Sequence, residues 1–309
     1  MSDHHDHAGH PHGHSHGPAN YNFAFAVGIA LNFGFVLVEG IYGYLSHSLA
    51  LMADAGHNLS DVLGLALAWG AIWLSNKKPS KHYTYGFRST SILAALANAL
   101  LLLVAIGGIA WEAIGRLSHP EPVAGGTVIV VAGIGIVINS ATALLFMSGR
   151  KGDINIRGAY LHMAADAAVS LGVVIAGFLI LKTGWIWLDP AISLAISLVI
   201  LFGTWRLLKD SLHLITLGVP EGIELEKLKT FLETQPGVSS VHDLHVWPMS
   251  TTENALTAHL HMPSGHPGDE FLKNLSKQLD HDFKIHHSTV QIETAKDASG
   301  CHLEPDNVV

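Results

Sequence analysis

The stretch SLALMADAGHNLSD, Ser48 to Asp61, decides how the whole chain is read. It lies in a run that is apolar on both sides, yet it carries Asp54, His57 and Asp61. An ionisable group at bilayer depth costs roughly 2.5–3.5 kcal/mol on insertion scales, so such groups persist mainly where they face a partner or a water-filled path. His57 and Asp61 stand one helical turn apart and share one helix face. An imidazole and a carboxylate stacked that way make half of a tetrahedral site for a divalent metal. Asp54 lies on nearly the same face, as a supporting partner of the ligands or as a proton relay, outside the first shell.

The other half comes about a hundred residues later, in GAYLHMAAD, Gly158 to Asp166. His162 and Asp166 repeat the His-x-x-x-Asp spacing in a second apolar helix. Two such pairs provide four N and O ligands, and an account without metal must then explain four costly side chains at once.

Three segments carry a resemblance to a known family: SLALMADAGHNLSD, YTYGFRSTSILAAL (Tyr83 to Leu96) and LHMAADAAVSLG (Leu161 to Gly172). The chain resembles the cation diffusion facilitator family, and within it the zinc-type transporters, over nearly its whole length after the first twenty residues. It departs from the family at Ser91, where a Glu often stands. The resemblance implies efflux of a divalent metal, zinc first, in exchange for protons, and a homodimer joined through a cytoplasmic domain with a ferredoxin-like look. Two rival classes use similar residues: an intramembrane metal-dependent hydrolase and a membrane metal sensor. Against the hydrolase, there is no HEXXH and no evident general base once Asp61 and Asp166 are taken as ligands.

Composition agrees with a membrane protein. The chain of 309 residues is only 14% charged, and six apolar segments approach the ~20 residues that span a bilayer. They are expected at 22–45, 49–75, 90–115, 125–148, 157–181 and 187–206. Lys77, Lys78, Lys81 and Arg88 fall in the second loop, Arg150, Lys151 and Arg157 around the fourth, and Arg206 and Lys209 after the sixth segment. The positive-inside rule then puts both termini in the cytoplasm of a multi-pass protein, with a bacterial inner membrane as the expected host. The net charge of −8 gives no argument for nucleic acid, so the expected partners are divalent metal ions, lipid and a second copy. The single cysteine, Cys301, excludes an internal disulfide framework. No cleavable signal peptide is evident.

Residues 1–20 hold His4, His5, His7, His10, His12, His14 and His16 between Asp, Gly, Pro and Ser. This reads as a disordered, metal-attracting tail. The six-helix transmembrane domain is expected over 21–210, a cytoplasmic metal-binding and dimerising domain over 211–296, and a tail over 297–309 with Cys301-His302. Gly34, Gly40, Gly107, Gly108, Gly133 and Gly135 read as helix-packing positions. Asn32, Asn98 and Asn139 read as hydrogen-bond partners between helices or as lining of a wet cavity.

After the sixth segment the period changes. ELEKLKTFLETQ reads as an amphipathic helix, 239–247 and 255–262 as strands, 269–282 as a helix and 288–294 as a strand. This α-β-β-α-β order predicts a small α+β domain with helices on one sheet face. Leu256, Ala258, Leu260 and Met262 form the apolar face of their strand, so His259 and His261 point the other way. Val290 and Ile292 likewise leave His287 and Glu293 on a polar face. In HDLHVW the family resemblance favours His242 as a ligand of regulatory metal, while strand parity favours His245. The second metal group is expected from His242, His259, His287 and Glu293. A charge pair is also expected between Arg88 and Asp210 at the cytoplasmic boundary.

Overall fold

The computed structural model describes residues 22–75, 77–147 and 154–294. The expectations for the His-rich tail, Arg150, Lys151 and Cys301-His302 lie outside the described residues. Six helices come first: α1 Asn22–Leu45, α2 Leu49–Ser75, α3 Thr90–Ser118, α4 Gly125–Met147, α5 Ile154–Thr183 and α6 Leu188–Ile215. They are followed by α7 Leu225–Glu233, β1 Ser240–Pro248, β2 Asn254–His261, α8 Asp269–Phe283 and β3 Ile285–Glu293.

Among the described residues, four helices are long and apolar enough to cross a membrane: Thr90–Ser118, Gly125–Leu145, Tyr160–Thr183 and Leu188–Ile215. In α1 the described apolar part, Ala30–Leu45, is shorter. The surfaces of these helices are oily where a soluble protein's would be polar. Val104, Trp111, Val137, Val199 and Phe202 are all more than 60% exposed, as expected of side chains whose solvent is lipid.

Several helices outrun the apolar segments read from sequence. The largest difference is at α6, which continues to Ile215 rather than stopping at 206 or at the expected domain boundary of 210. The added turns are polar on one side and carry an Arg206–Asp210 ion pair one helical turn apart, at 3.6 Å. Hydrophobicity therefore marks the membrane-length part of the helix, not its end.

α1 and α2 form a tight hairpin across Ser46–Ser48, with His47 in the left-handed region at φ 57°. The first N–H groups of α2 have no partner within the helix. A carboxylate from α6 meets them: Leu49 N donates to Asp189 Oδ2 at 2.7 Å and Ala50 N to Oδ1 at 3.3 Å. The Ser48 hydroxyl donates to the same carboxylate. Asp189 is thus a cap for α2 supplied by another helix, and its negative charge also suits the N-terminal end of the helix dipole. It pins the helix that carries Asp54, His57 and Asp61.

The bundle core joins Phe35, Leu51, Ile106, Val131, Val173 and Ile196, which come from all six helices. Its packing is close at Gly135. A Cβ there would lie 2.7 Å from Phe35 Cζ and 3.1 Å from Ser170 Oγ, so glycine lets α1, α4 and α5 meet.

The second unit has the expected α-β-β-α-β order. β2 is central, antiparallel to β1 and parallel to β3. Leu228 and Leu232 of α7 and Leu275 and Leu279 of α8 pack with Val246, Leu256 and Leu260 on one sheet face. The last strand starts at Ile285 rather than at 288, because Ile285 is itself buried in this core.

The expected Arg88–Asp210 pair is not formed within the chain. Asp210 is held by Arg206 on its own helix, whereas Arg88 pairs with Glu253 in the β1–β2 hairpin. Ser89 Oγ also donates to Met249 O at 3.3 Å, and Thr251 N donates to Ser91 Oγ at 3.1 Å. The start of α3 therefore grips the hairpin rather than the end of α6.

Candidate metal centres

Helical periodicity puts His57 above Asp61 on α2 and His162 above Asp166 on α5, and the bundle turns the two faces toward each other. His57 Nε2 lies 3.4 Å from Asp166 Oδ1 and 3.8 Å from Asp61 Oδ2. His162 Nε2 lies 3.2 Å from Asp61 Oδ2 and 3.6 Å from Asp166 Oδ2. All four side chains named from sequence come together, and Asp61, His162 and Asp166 each offer a ligand atom within 4.8 Å of the others.

The burial within this group is uneven. Asp166 is 2% exposed, His57 24%, Asp61 33% and His162 40%. Asp61 Oδ2 and Asp166 Oδ2 are buried and, apart from the imidazoles of the cluster itself, have no donor among the described residues. A buried carboxylate oxygen without a donor is costly, and a cation between the two helices removes that cost. A small cavity between α2, α3 and α6, with room for about one water, has His57 on its wall.

Asp54 stands outside the cluster, as expected. It is fully buried and accepts from Ser170 Oγ at 2.9 Å. Asn32 donates to Met163 Sδ at 3.6 Å, which makes it a link between α1 and α5. Glu39 on α1 was not singled out from the sequence. It is fully buried and accepts from Asn58 Nδ2 at 3.2 Å. A lone acidic residue in a long apolar run was the signal that could have found it.

The second group lies on the face of the sheet away from α7 and α8. His242, His259 and Glu293 each offer a ligand atom within 4.8 Å of the others. His242 Nε2 is 3.3 Å from Glu293 Oε2, and His259 Nδ1 is 3.0 Å from Glu293 Oε1. His242 and His259 face each other across β1 and β2, with ring centroids 5.2 Å apart.

His287 does not join them. It stands opposite Ala255, well before Glu293 on β3, and its ring meets Tyr85 edge-on. Three of the four expected residues thus come together, and beside them stands Asp243, which sequence reading missed. Asp243 sits in a β-bulge between His242 and His245, with φ 49°. Its carboxylate lies 3.3 Å from His259 Nε2 and 2.8 Å from His245 Nε2.

The bulge also resolves the conflict between His242 and His245. The extra residue resets the alternation, so Val241 and Val246 both face the core while His242 and His245 both face away from it. His242 belongs to the cluster, and His245 is tied to Asp243.

Residues 25–216 match the cation efflux transmembrane domain family, and residues 220–295 match the cation efflux protein cytoplasmic domain family. The zinc transporter ZitB of Escherichia coli (strain K12) is 37% identical over 273 residues, which cover 87% of each chain. The metal cation efflux system protein CzcD of Cupriavidus metallidurans is 38% identical over 267 residues, 86% of this chain and 84% of its own. A cadmium, cobalt and zinc/H(+)-K(+) antiporter of Bacillus velezensis is 37% identical over 267 residues, 85% of each chain.

Proposed function

The chain belongs to the cation efflux family, and from that premise we propose that it exports divalent metal, zinc first, by proton antiport through His57, Asp61, His162 and Asp166. The observation that carries the proposal is the meeting of two His-x-x-x-Asp faces in the bundle, with two buried carboxylate oxygens whose neighbours are only the imidazoles of the cluster. Two carboxylates offset the ion's charge, and two imidazoles bind through nitrogen at the ~2.0–2.2 Å that zinc favours.

An imidazole must be neutral to coordinate, so protons and metal compete for the same atoms. Metal enters from the cytoplasm and displaces protons. On the more acidic side the imidazoles take up protons and release metal. Alternating exposure of a fixed site between packed helices completes the cycle. The names of the relatives agree with this: one is called a zinc transporter and another a cadmium, cobalt and zinc/H(+)-K(+) antiporter.

In the same reading all six helices α1–α6 span the membrane, both termini are cytoplasmic, and the host is a bacterial inner membrane. The unit from α7 onward is a ferredoxin-like dimerising domain. His242, His259 and Glu293 on its sheet hold a regulatory metal, and Asp243 orients the imidazoles. The donor set fits such an ion, since His242 Nε2 is buried with the Glu293 carboxylate 3.3 Å away and His259 beside it. The domain's grip on Arg88, Ser89 and Ser91 gives that metal a route to the transmembrane helices.

The test is uptake of radioactive zinc into proteoliposomes under an imposed pH gradient. Uptake that follows the gradient and collapses with it supports an antiporter. Zinc bound without movement identifies a sensor instead, and movement that ignores the gradient removes the proton from the account.

A further inference from the structure

Glu39 and Asp54 form a buried carboxyl pair that the metal site does not use. Glu39 projects from α1 and Asp54 from α2, and both are 0% exposed. Each has one oxygen satisfied: Asn58 Nδ2 donates to Glu39 Oε2 at 3.2 Å, and Ser170 Oγ donates to Asp54 Oδ2 at 2.9 Å. The other oxygen of each, Glu39 Oε1 and Asp54 Oδ1, is buried and has no donor among the described residues. Asn58, the donor to Glu39, stands one helical turn after Asp54 on α2, and a Cβ at Gly40 would lie 3.9 Å from Ala55 Cβ, so the two carboxyl groups are neighbours across the contact of α1 with α2.

The surroundings provide little positive charge. Helices α1, α2 and α4 contain no Lys or Arg, and α4 contains no titratable residue. On α5, Lys182 lies in the last turn, away from Ser170, and Arg157 stands 13 residues before Ser170 in sequence. The other titratable groups within reach of the pair's charge are Asp166 on α5 and His57 on α2, neither of which bonds to it. Two neighbouring carboxyls in such a setting do not both ionise unless a cation joins them. A single proton between them satisfies both orphaned oxygens, and no donor among the described residues is placed to do so.

We propose that Glu39 and Asp54 share one proton in the metal-free protein, as a proton site beside the metal ligands and separate from them. Its part in transport rests on the proposed metal site. A dication held by Asp61 and Asp166 adds positive charge beside the pair, which favours release of the shared proton to water, and departure of the metal favours its return. The pair thereby adds a proton to those that the imidazoles exchange.

Infrared spectroscopy of the metal-free, full-length protein in lipid at neutral pH tests the pair directly. The parent should show the carbonyl stretch of a protonated, buried carboxylic acid, and Glu39→Gln and Asp54→Asn should each lose it. Calorimetric zinc titrations in buffers of different ionisation enthalpy give the coupling. Glu39→Gln should bind zinc within about threefold of the parent while releasing about one proton fewer per ion. Absence of the band from the parent, or its persistence undiminished in both variants, overturns the proposal. If Glu39→Gln does not insert, the parental band and Asp54→Asn still decide. Loss of zinc binding by the parent would sink the metal site and not the pair, because the band is read without metal.

Discussion

The two candidate metal groups use the same residue types and are built in opposite ways. The one in the bundle comes from two helices, each giving a His and an Asp one turn apart. The one on the sheet comes from three strands, each giving one residue, with a β-bulge to set the angle. A helix fixes a pair of ligands locally, and packing has only to bring two faces together. A sheet fixes no pair locally, and its ligands depend on register between distant segments. The two groups should therefore break differently. The membrane group should fail in an all-or-none way, because the ion there has no bulk water to fall back on. The sheet group should fail by degrees.

The largest effect should come from the carboxylates in the bundle. Asp61→Ala or Asp166→Ala should lower gradient-driven zinc transport by about a hundredfold or more, since a dication lacking one counter-charge in a low-dielectric site loses several kcal/mol. Proteoliposome uptake with insertion verified is the check, and parental rates in both variants would remove the contrast altogether.

His57→Asp should have a different character. It exchanges a neutral nitrogen for a charged, potentially bidentate oxygen, which relaxes the demand for a compact tetrahedron. Some zinc transport should survive while cadmium or manganese competes better than in the parent. A competition assay with unchanged metal preference would show that His57 is not a ligand.

On the sheet, His242→Ala or His259→Ala should weaken zinc binding to that group by about 10- to 100-fold while slower transport continues. His287→Ala should leave this affinity unchanged, because His287 meets Tyr85 rather than the cluster. Equal losses from all three substitutions would mean that the metal gathers ligands the folded chain keeps apart.

The smallest effect should come from the junction of the two units. Arg88 and Glu253 are each about a third exposed, and such pairs contribute about 0–1 kcal/mol. A double-mutant cycle of Arg88→Ala and Glu253→Ala on thermal stability should give a coupling within that range. The same cycle on Arg88 and Asp210 should give none.

These contrasts follow what could and could not be read from sequence. The six helices and the α-β-β-α-β order were legible because period and polarity are local properties. The residues of the bundle group stood out because charge in an apolar helix is costly. The end of α6 was not legible, because a helix continues past the apolar stretch wherever ion pairs such as Arg206–Asp210 support it. On the sheet, parity correctly placed His259 and Glu293 on the outer face but could not tell that His287 lies too far along β3. It also set His242 against His245, when a single left-handed residue, Asp243, puts both on that face. Glu39 itself was legible as a lone acid in an apolar run, but its nearness to Asp54 required the packing of α1 on α2, for which neither stretch carries a spacing signal.

The most direct test of the central claim is X-ray absorption at the zinc edge, on the lipid-embedded protein with the sheet group disabled by His242→Ala and His259→Ala. The remaining zinc should show a four-coordinate shell of nitrogen and oxygen at about 2.0–2.2 Å with the scattering of two imidazoles. That signal should disappear when Asp61→Ala and Asp166→Ala are added. A shell with no imidazole, or the same spectrum after both carboxylates are removed, would contradict a metal held between α2 and α5.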